Sequence, residues 1–268
     1  MADVWFHRCA LITGASSGLG AEFARQLAPV CETLVLVARR ETVLEGLAEA
    51  LRAAHPGLAV GVIAADLTEA EARAGLMDEL GRAELWPDLL VNNAGMGDHG
   101  EFAAAEWPKI EAMLRLNVEA MTAMAHLLVP GMIARGGGSV INVSSLACLL
   151  PIPDFAVYAA SKAYVTSFSE AIRLELREHG IRVTALCPGP VHTEFGEVAG
   201  RGANDSGSSF REHFYVDAGQ VVAEALAGLA RDRARVFPGW KIAAAAALLA
   251  VVPIALTRRL MSSRPRRG

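Results

Sequence analysis

A glycine-rich run, Thr13-Gly14-Ala15-Ser16-Ser17-Gly18-Leu19-Gly20, stands directly after a short apolar stretch, Cys9-Ala10-Leu11-Ile12. It stands directly before a helical pattern through Ala21-Glu22-Phe23-Ala24-Arg25-Gln26-Leu27. A turn that feeds a strand into a helix is suited to holding a dinucleotide. Glycines let the backbone approach the pyrophosphate, and the start of the helix offers unpaired N–H groups and the positive end of its dipole. The spacing is G-x-x-x-G-x-G, and alone it would also serve as an ordinary tight turn. Further along, Tyr158 and Lys162 are four residues apart and share one face of a helix. Ser145 precedes Tyr158 by 13 residues, Asn92-Asn93-Ala94-Gly95 closes another apolar stretch, and Pro188-Gly189 closes a third.

These residues need a frame, and the chain supplies one in a strand–helix rhythm. After Cys9 to Ile12 come the apolar runs Thr33 to Ala38, Ala59 to Ala64, Leu89 to Asn92, Ser139 to Val143 and Ile181 to Leu186. Helical patterns cover Glu41 to Ala54, a long stretch from about Trp107 to Ala134, and another from about Phe155 to His179. Strands that are apolar throughout are buried on both faces, and strands alternating with helices imply a parallel sheet covered on both sides. The expected fold class is therefore α/β, a Rossmann-type doubly wound, mostly parallel seven-stranded sheet with helices on both faces. Every chemistry-bearing motif then falls at the C-terminal end of a strand or at the start of the helix that follows.

In this order and spacing, the motifs resemble the short-chain dehydrogenase/reductase family over about residues 8 to 195. The T-G-x-x-x-G-x-G form and the single-domain length are similar to its smaller, oxidoreductase branch. The resemblance implies Tyr158 as general acid/base toward a carbonyl or alcohol oxygen. An unperturbed phenol, at a pKa of ~10, is a poor base at neutral pH. The Lys162 ammonium one turn away favours the phenolate and would also hold the nicotinamide ribose. Ser145 would orient the substrate oxygen, with Ser144 less well placed by the spacing. Asn117, in Leu116-Asn117-Val118, matches the asparagine that organises a water relay to the lysine. Gly14, Ser16, Ser17, Gly18, Leu19 and Gly20 would form the phosphate turn. Asp66 and Leu67 match the adenine side; Asn93, Ala94 and Gly95 would line the adenosine. Pro188, Gly189, Val191 and Thr193 match positions at the nicotinamide end.

The end of the second strand bears on which cofactor is used. An acidic residue there binds the adenosine ribose hydroxyls and repels a 2′-phosphate. This chain has Ala38 followed by Arg39 and Arg40. Loss of the carboxylate removes the repulsion, and a guanidinium can grip a phosphate, so NADP(H) is expected over NAD(H). Arg39 is the first candidate ligand, with Arg40 stacking or pairing beside it.

Composition narrows the function classes. Just over half of the 268 residues, 53%, are apolar and 20% are charged, which excludes global disorder. A net charge of −4 and 6% aromatic residues argue against nucleic-acid binding. Cys9, Cys31, Cys148 and Cys187 form no C-x-x-C pair and lack histidines at ligand spacing, so buried, reduced thiols and no metal are expected. The seven histidines are expected on surfaces or in loops. Met1 to Arg8 lacks the cationic-then-apolar pattern of a secretory signal, and a cytoplasmic location or one peripheral to a membrane is expected.

Residues 1–240 read as one domain, with a polar, glycine-rich lid over about 194–216 whose Phe195, Phe210, Phe214 and Tyr215 supply apolar side chains. Leu146, Leu149, Leu150, Ile152 and Phe155 supply an opposite wall, which suits a small apolar carbonyl or alcohol. Residues 241–268 form an apolar helix and a basic tail. The stretch Ile242 to Leu256 would be about 22 Å long as a helix, short of the ~30 Å hydrocarbon core. It fits a helix covering the substrate side or a subunit interface, or a membrane-surface attachment; a true span fits least. In relatives the long helices pack subunits together, so a homodimer or homotetramer is expected. The sequence thus supports an NADP(H)-dependent carbonyl reductase or alcohol dehydrogenase. A membrane-associated lipid reductase of ketoacyl or sphingoid type, or a non-catalytic NADP(H) sensor, is the alternative.

Overall fold

The structure is a computed structural model that describes residues 7–191 and 215–262. Seven strands form one sheet in the order β3-β2-β1-β4-β5-β6-β7: β1 (His7–Thr13), β2 (Cys31–Ala38), β3 (Ala59–Ala64), β4 (Leu89–Asn92), β5 (Gly138–Val143), β6 (Ile181–Leu186) and β7 (Arg235–Val236). All six pairings are parallel rather than mostly so. The helices are α1 (Gly18–Leu27), α2 (Glu41–Ala54), α3 (Ala70–Arg82), α4 (Trp107–Leu114), α5 (Met121–Ala134), α6 (Ala156–Leu176), α7 (Ala218–Ala230), α8 (Trp240–Val251) and α9 (Ile254–Ser262).

The strands are apolar throughout because each is covered twice. One face packs under α1, α2, α7 and α8, with Phe23, Leu27, Leu44, Val222 and Ile242 against Ile12, Leu34 and Leu36. The other packs under α3, α5 and α6, with Leu76, Leu80, Met124, Leu128 and Met132 against Leu11, Val35 and Val183. The sheet is built outward from β1 in both directions, so the crossovers after β1 and after β4 diverge to opposite faces. The strand order reverses between β1 and β4, and the C-terminal ends of these strands are the place where this architecture accepts ligands.

Three elements depart from the sequence reading. Helix α3 follows β3 where no helix was read; its buried side includes the charged Arg73, which breaks the apolar stripe. The seventh strand is only two residues long. The helix expected over Trp107 to Ala134 is divided by a π-turn at Arg115–Ala120. That run is apolar and long enough, by length and composition, to cross a membrane. Its apolar residues Met124, Leu128 and Met132 are instead committed to the sheet. His7 departs from the expected surface placement: it is buried in β1, with Nδ1 3.7 Å from Asp88 Oδ1.

Candidate active site

The glycine turn expected to hold the phosphates is fixed by two neighbouring strand ends. Thr13 is the last residue of β1, and its hydroxyl accepts from the backbone N–H groups of Asn93 and Ala94, each at 3.0 Å. The Asn93 amide donates to the carbonyls of Thr13 and Gly14, at 3.0 and 3.2 Å. Asn93 therefore shapes the turn with its side chain, and Thr13, absent from the expected ligands, is the clasp between β1 and β4. Gly14 has φ +65°, and a Cβ there would sit 2.9 Å from Ala94 Cα. A Cβ on Gly20 would lie 2.2 Å from the Gly14 carbonyl oxygen. Neither position accepts a side chain without moving the turn. Ser17, extended before α1, makes no side-chain cap hydrogen bond, so the first N–H groups of α1 are not satisfied by it.

At the end of β2, the Arg40 guanidinium donates to Ser16 Oγ and to the Ser16 carbonyl at 3.2 to 3.3 Å. Arg39 extends into solvent, its Nη1 4.0 Å from Asp66 Oδ2. Burial pushes the Asp66 carboxyl up, but the N–H and hydroxyl of Thr68 and the Arg39 charge outweigh it and hold the group below its ordinary value. The Leu67 side chain is part of the core, and its carbonyl accepts from buried Arg73 at 2.7 Å.

Tyr158 and Lys162, the residues expected to act on the proton, sit on α6 beside the ends of β4 and β5. Lys162 is fully buried, its ammonium donating to the Val143 carbonyl at 2.9 Å and standing 5.7 Å from the Tyr158 ring centre. Burial pulls the Lys162 ammonium down to about 8. Tyr158 packs edge-on against Phe155, ring centres 5.1 Å apart, in a cluster with Met113, Met96 and Ile152. Gly95 is pressed against the same place: a Cβ on it would lie 3.2 Å from Asn117 Oδ1 and 3.3 Å from Lys162 Nζ.

Asn117 lies within the π-turn. Its amide clamps the loop after β4, accepting from Met96 N–H at 2.9 Å and donating to Met96 O at 2.8 Å and Ser161 Oγ at 3.1 Å. Wide turns of this kind recur at functional sites, and here the turn sets Asn117 between the β4 loop and α6. Ser161 in turn donates to the Tyr158 carbonyl at 2.7 Å. It joins Asn117 to the Tyr158 turn and was not singled out in the sequence.

The adjacent serines have different surroundings. Ser144 is buried, with its hydroxyl on the Lys162 carbonyl at 2.8 Å and on Thr166 Oγ1 at 2.7 Å. Ser145 is extended and half-buried, and its Oγ accepts the Ala147 N–H at 3.1 Å, capping the first turn of the 3₁₀ segment Leu146–Leu149. That segment is tied to the end of β6 by Leu146 N–H on the Pro188 carbonyl at 2.8 Å. Pro188 thereby helps to place Ser145. Val191 bridges Val216 in parallel, so the chain leaves and returns side by side. Thr193, and the lid positions Phe195, Phe210 and Phe214, lie outside the described residues.

A sequence model described as short chain dehydrogenase matches residues 8–203. This chain belongs to the short-chain dehydrogenase/reductase family. An uncharacterized oxidoreductase of Myxococcus xanthus is 31% identical over 92% of this chain and 93% of its own length. A short-chain dehydrogenase from Sphingobium yanoikuyae, solved in complex with NADPH, superposes with a TM-score of 0.81 at 32% identity, covering 97% of this chain and 98% of that one. The bulky-bulky ketone specific alcohol dehydrogenase from Comamonas testosteroni gives 0.77 at 30% identity over 97% and 96%. As a family member the protein is an oxidoreductase that acts on CH–OH groups with NAD(P).

Proposed function

We propose that the protein is an NADP(H)-dependent reductase of small apolar ketones or aldehydes, able to run in reverse as an alcohol dehydrogenase. The observation that carries this reading is the Lys162 ammonium set 5.7 Å from the centre of the Tyr158 ring, beside an apolar wall of Phe155, Met113, Ile152 and Met96. The NADPH in the Sphingobium structure supports the cofactor, and the ketone-specific alcohol dehydrogenase of Comamonas supports the reaction.

The residues fit a nicotinamide dinucleotide. The Gly14 and Gly20 turn has no room for a Cβ, and the glycine at 95 leaves space beside Lys162 and Asn117. Arg39 stands where an acid is expected after Ala38 and would hold a 2′-phosphate, with Arg40 beside it on the glycine turn. The cofactor supplies the hydride. Tyr158 gives its phenolic proton to the carbonyl oxygen in reduction and takes it back in oxidation. Lys162 favours the phenolate by its charge and has donors beyond the one on Val143 for ribose hydroxyls. Ser145 orients the reacting oxygen, and Asn117 fixes the loop that carries Gly95. Subunits pair through the outer faces of α5 and α6, where Leu127, Tyr164 and Leu174 are exposed.

The test is Tyr158→Phe with NADPH and aryl alkyl ketones. Turnover is expected to fall by at least ~10²-fold while NADPH affinity stays within a factor of about two. Full turnover in the variant would overturn the assignment.

A further inference from the structure

The last two helices present a surface that the chemistry above does not use. Along α8, Trp240, Ala243, Ala244, Ala247, Leu248 and Val251 recur at i, i+3, i+4, i+7, i+8 and i+11, and all are exposed. Trp240 is 78%, Leu248 64% and Val251 77% exposed. The opposite side of the same helix is fixed: Ile242 and Ala246 are buried, Ile242 within the core that Leu146 joins. The carboxylate of Glu224 accepts the Gly239 N–H and anchors the start of the helix. The apolar stripe is therefore held outward by a packed inner face.

Charge decides what covers it. From residue 233 to the end there is no Asp or Glu, while residues 240–268 carry Lys241, Arg258, Arg259, Arg264, Arg266 and Arg267. The chain's net charge is −4, so these six cations leave −10 on residues 1–239. Arg258 and Arg259 are exposed on α9 beside exposed Leu256. Two copies meeting stripe to stripe would bring like charges together, whereas an anionic surface would neutralise them. At 12 residues, about 18 Å, α8 is too short to span and suits lying in the interface. Tryptophan and arginine flanking an apolar face are groups that anchor at the headgroup level.

We propose that α8 and α9 dock this protein on the surface of an anionic lipid bilayer, with the 240–251 stripe entering the headgroup–acyl boundary. Because the inner side of α8 packs beside Leu146, docking brings the Ser145 segment close to the bilayer, where apolar molecules concentrate. Docking does not depend on which substrate or cofactor the site takes.

The experiment is co-sedimentation of the full chain with vesicles of phosphatidylcholine, alone or with about 30% phosphatidylglycerol, at low and ~0.5 M salt. The full chain is expected to pellet with anionic vesicles, less at high salt, and weakly with neutral ones. Arg258→Gln with Arg259→Gln lowers anionic partitioning about 25-fold, from roughly five-fold per charge. Leu248→Asp with Val251→Asp lowers it at least ~100-fold, with an unchanged circular dichroism spectrum. No pelleting with any vesicle, or equal pelleting of the aspartate variant, overturns the proposal. A dimer in solution that the aspartate pair dissociates, without vesicle binding by the unaltered chain, also overturns it and assigns the stripe to a second copy.

Discussion

Arg39→Ala isolates the preference for one cofactor from the ability to bind any. In the free protein Arg39 is 76% exposed at its side chain and meets Asp66 only at 4.0 Å. Exposed pairs contribute about 0–1 kcal/mol, so the variant should fold with nearly unchanged stability. A charge-assisted hydrogen bond to a phosphate contributes about 1.5–3 kcal/mol. The exposure of Arg39 places it toward the lower end of that range. A loss of ~1.5–2 kcal/mol corresponds to about 10–30-fold weaker NADPH binding. NADH, lacking the 2′-phosphate, should be unaffected. Arg40→Ala is the matched comparison: Arg40 is bound to Ser16 on the phosphate turn, so its removal should weaken both cofactors together. The assay is titration by nicotinamide fluorescence at fixed ionic strength, repeated at higher salt, where the Arg39 contribution should shrink. Equal weakening of NADPH and NADH by Arg39→Ala, or no weakening of either, would refute the argument.

Other perturbations reach the core and the titrating groups. Phe23→Ala empties a fully buried site under β1 and β2 and should cost about 3–5 kcal/mol, read from urea unfolding. Gly14→Ala, at φ +65° and against Ala94, should weaken both cofactors far more than it lowers the melting temperature. Lys162 is held at about 8, below its unfolded value of ~10.4, so between these the unfolded chain binds the extra proton and stability rises with pH. Cys9 and Cys31, pushed by burial to about 12, act in the opposite sense above their ordinary 9.0. The difference in stability between the unaltered chain and Lys162→Met should therefore shift toward the unaltered chain from about pH 8 to 10.5, by up to ~1.4 kcal/mol per unit; a flat difference would count against the burial argument. Hydrogen bonding from Cys187 pulls the half-buried Cys148 thiol below its ordinary value, while burial pushes Cys9 and Cys31 up, so iodoacetamide should modify Cys148 before Cys9 or Cys31.

The fold was legible where chain physics is local. Continuous apolar runs such as Leu34 to Val37 can only be strands covered twice, and the glycines at 14 and 20 mark a turn with no room for side chains. Tyr158 and Lys162 announce themselves by spacing on one helix. The π-turn did not, because widening a helix by one residue over six leaves the apolar periodicity almost unchanged. Arg73 hid α3 by placing a charge on its buried side, where a bond to the Leu67 carbonyl compensates it. Thr13 and Ser161 were invisible for another reason. Thr13 acts on backbone N–H groups at the end of β4 and Ser161 on the Asn117 side chain, partners brought near by the tertiary fold that no local pattern reports. Asn93 was read as lining the adenosine; that its amide also holds the turn was not legible, because its partners Thr13 and Gly14 lie 79 to 80 residues away.

The bridge between Val191 and Val216 has a consequence for how such a protein can diversify. Because the two ends of the intervening stretch are pinned side by side, its length is thermodynamically cheap to change: doubling a closed loop costs only about 0.6 kcal/mol. The same pinning insulates β6 and α7 from whatever is inserted between them. The elements that carry Asn117, Ser145, Tyr158 and Lys162 can therefore be inherited intact whatever the length of that stretch.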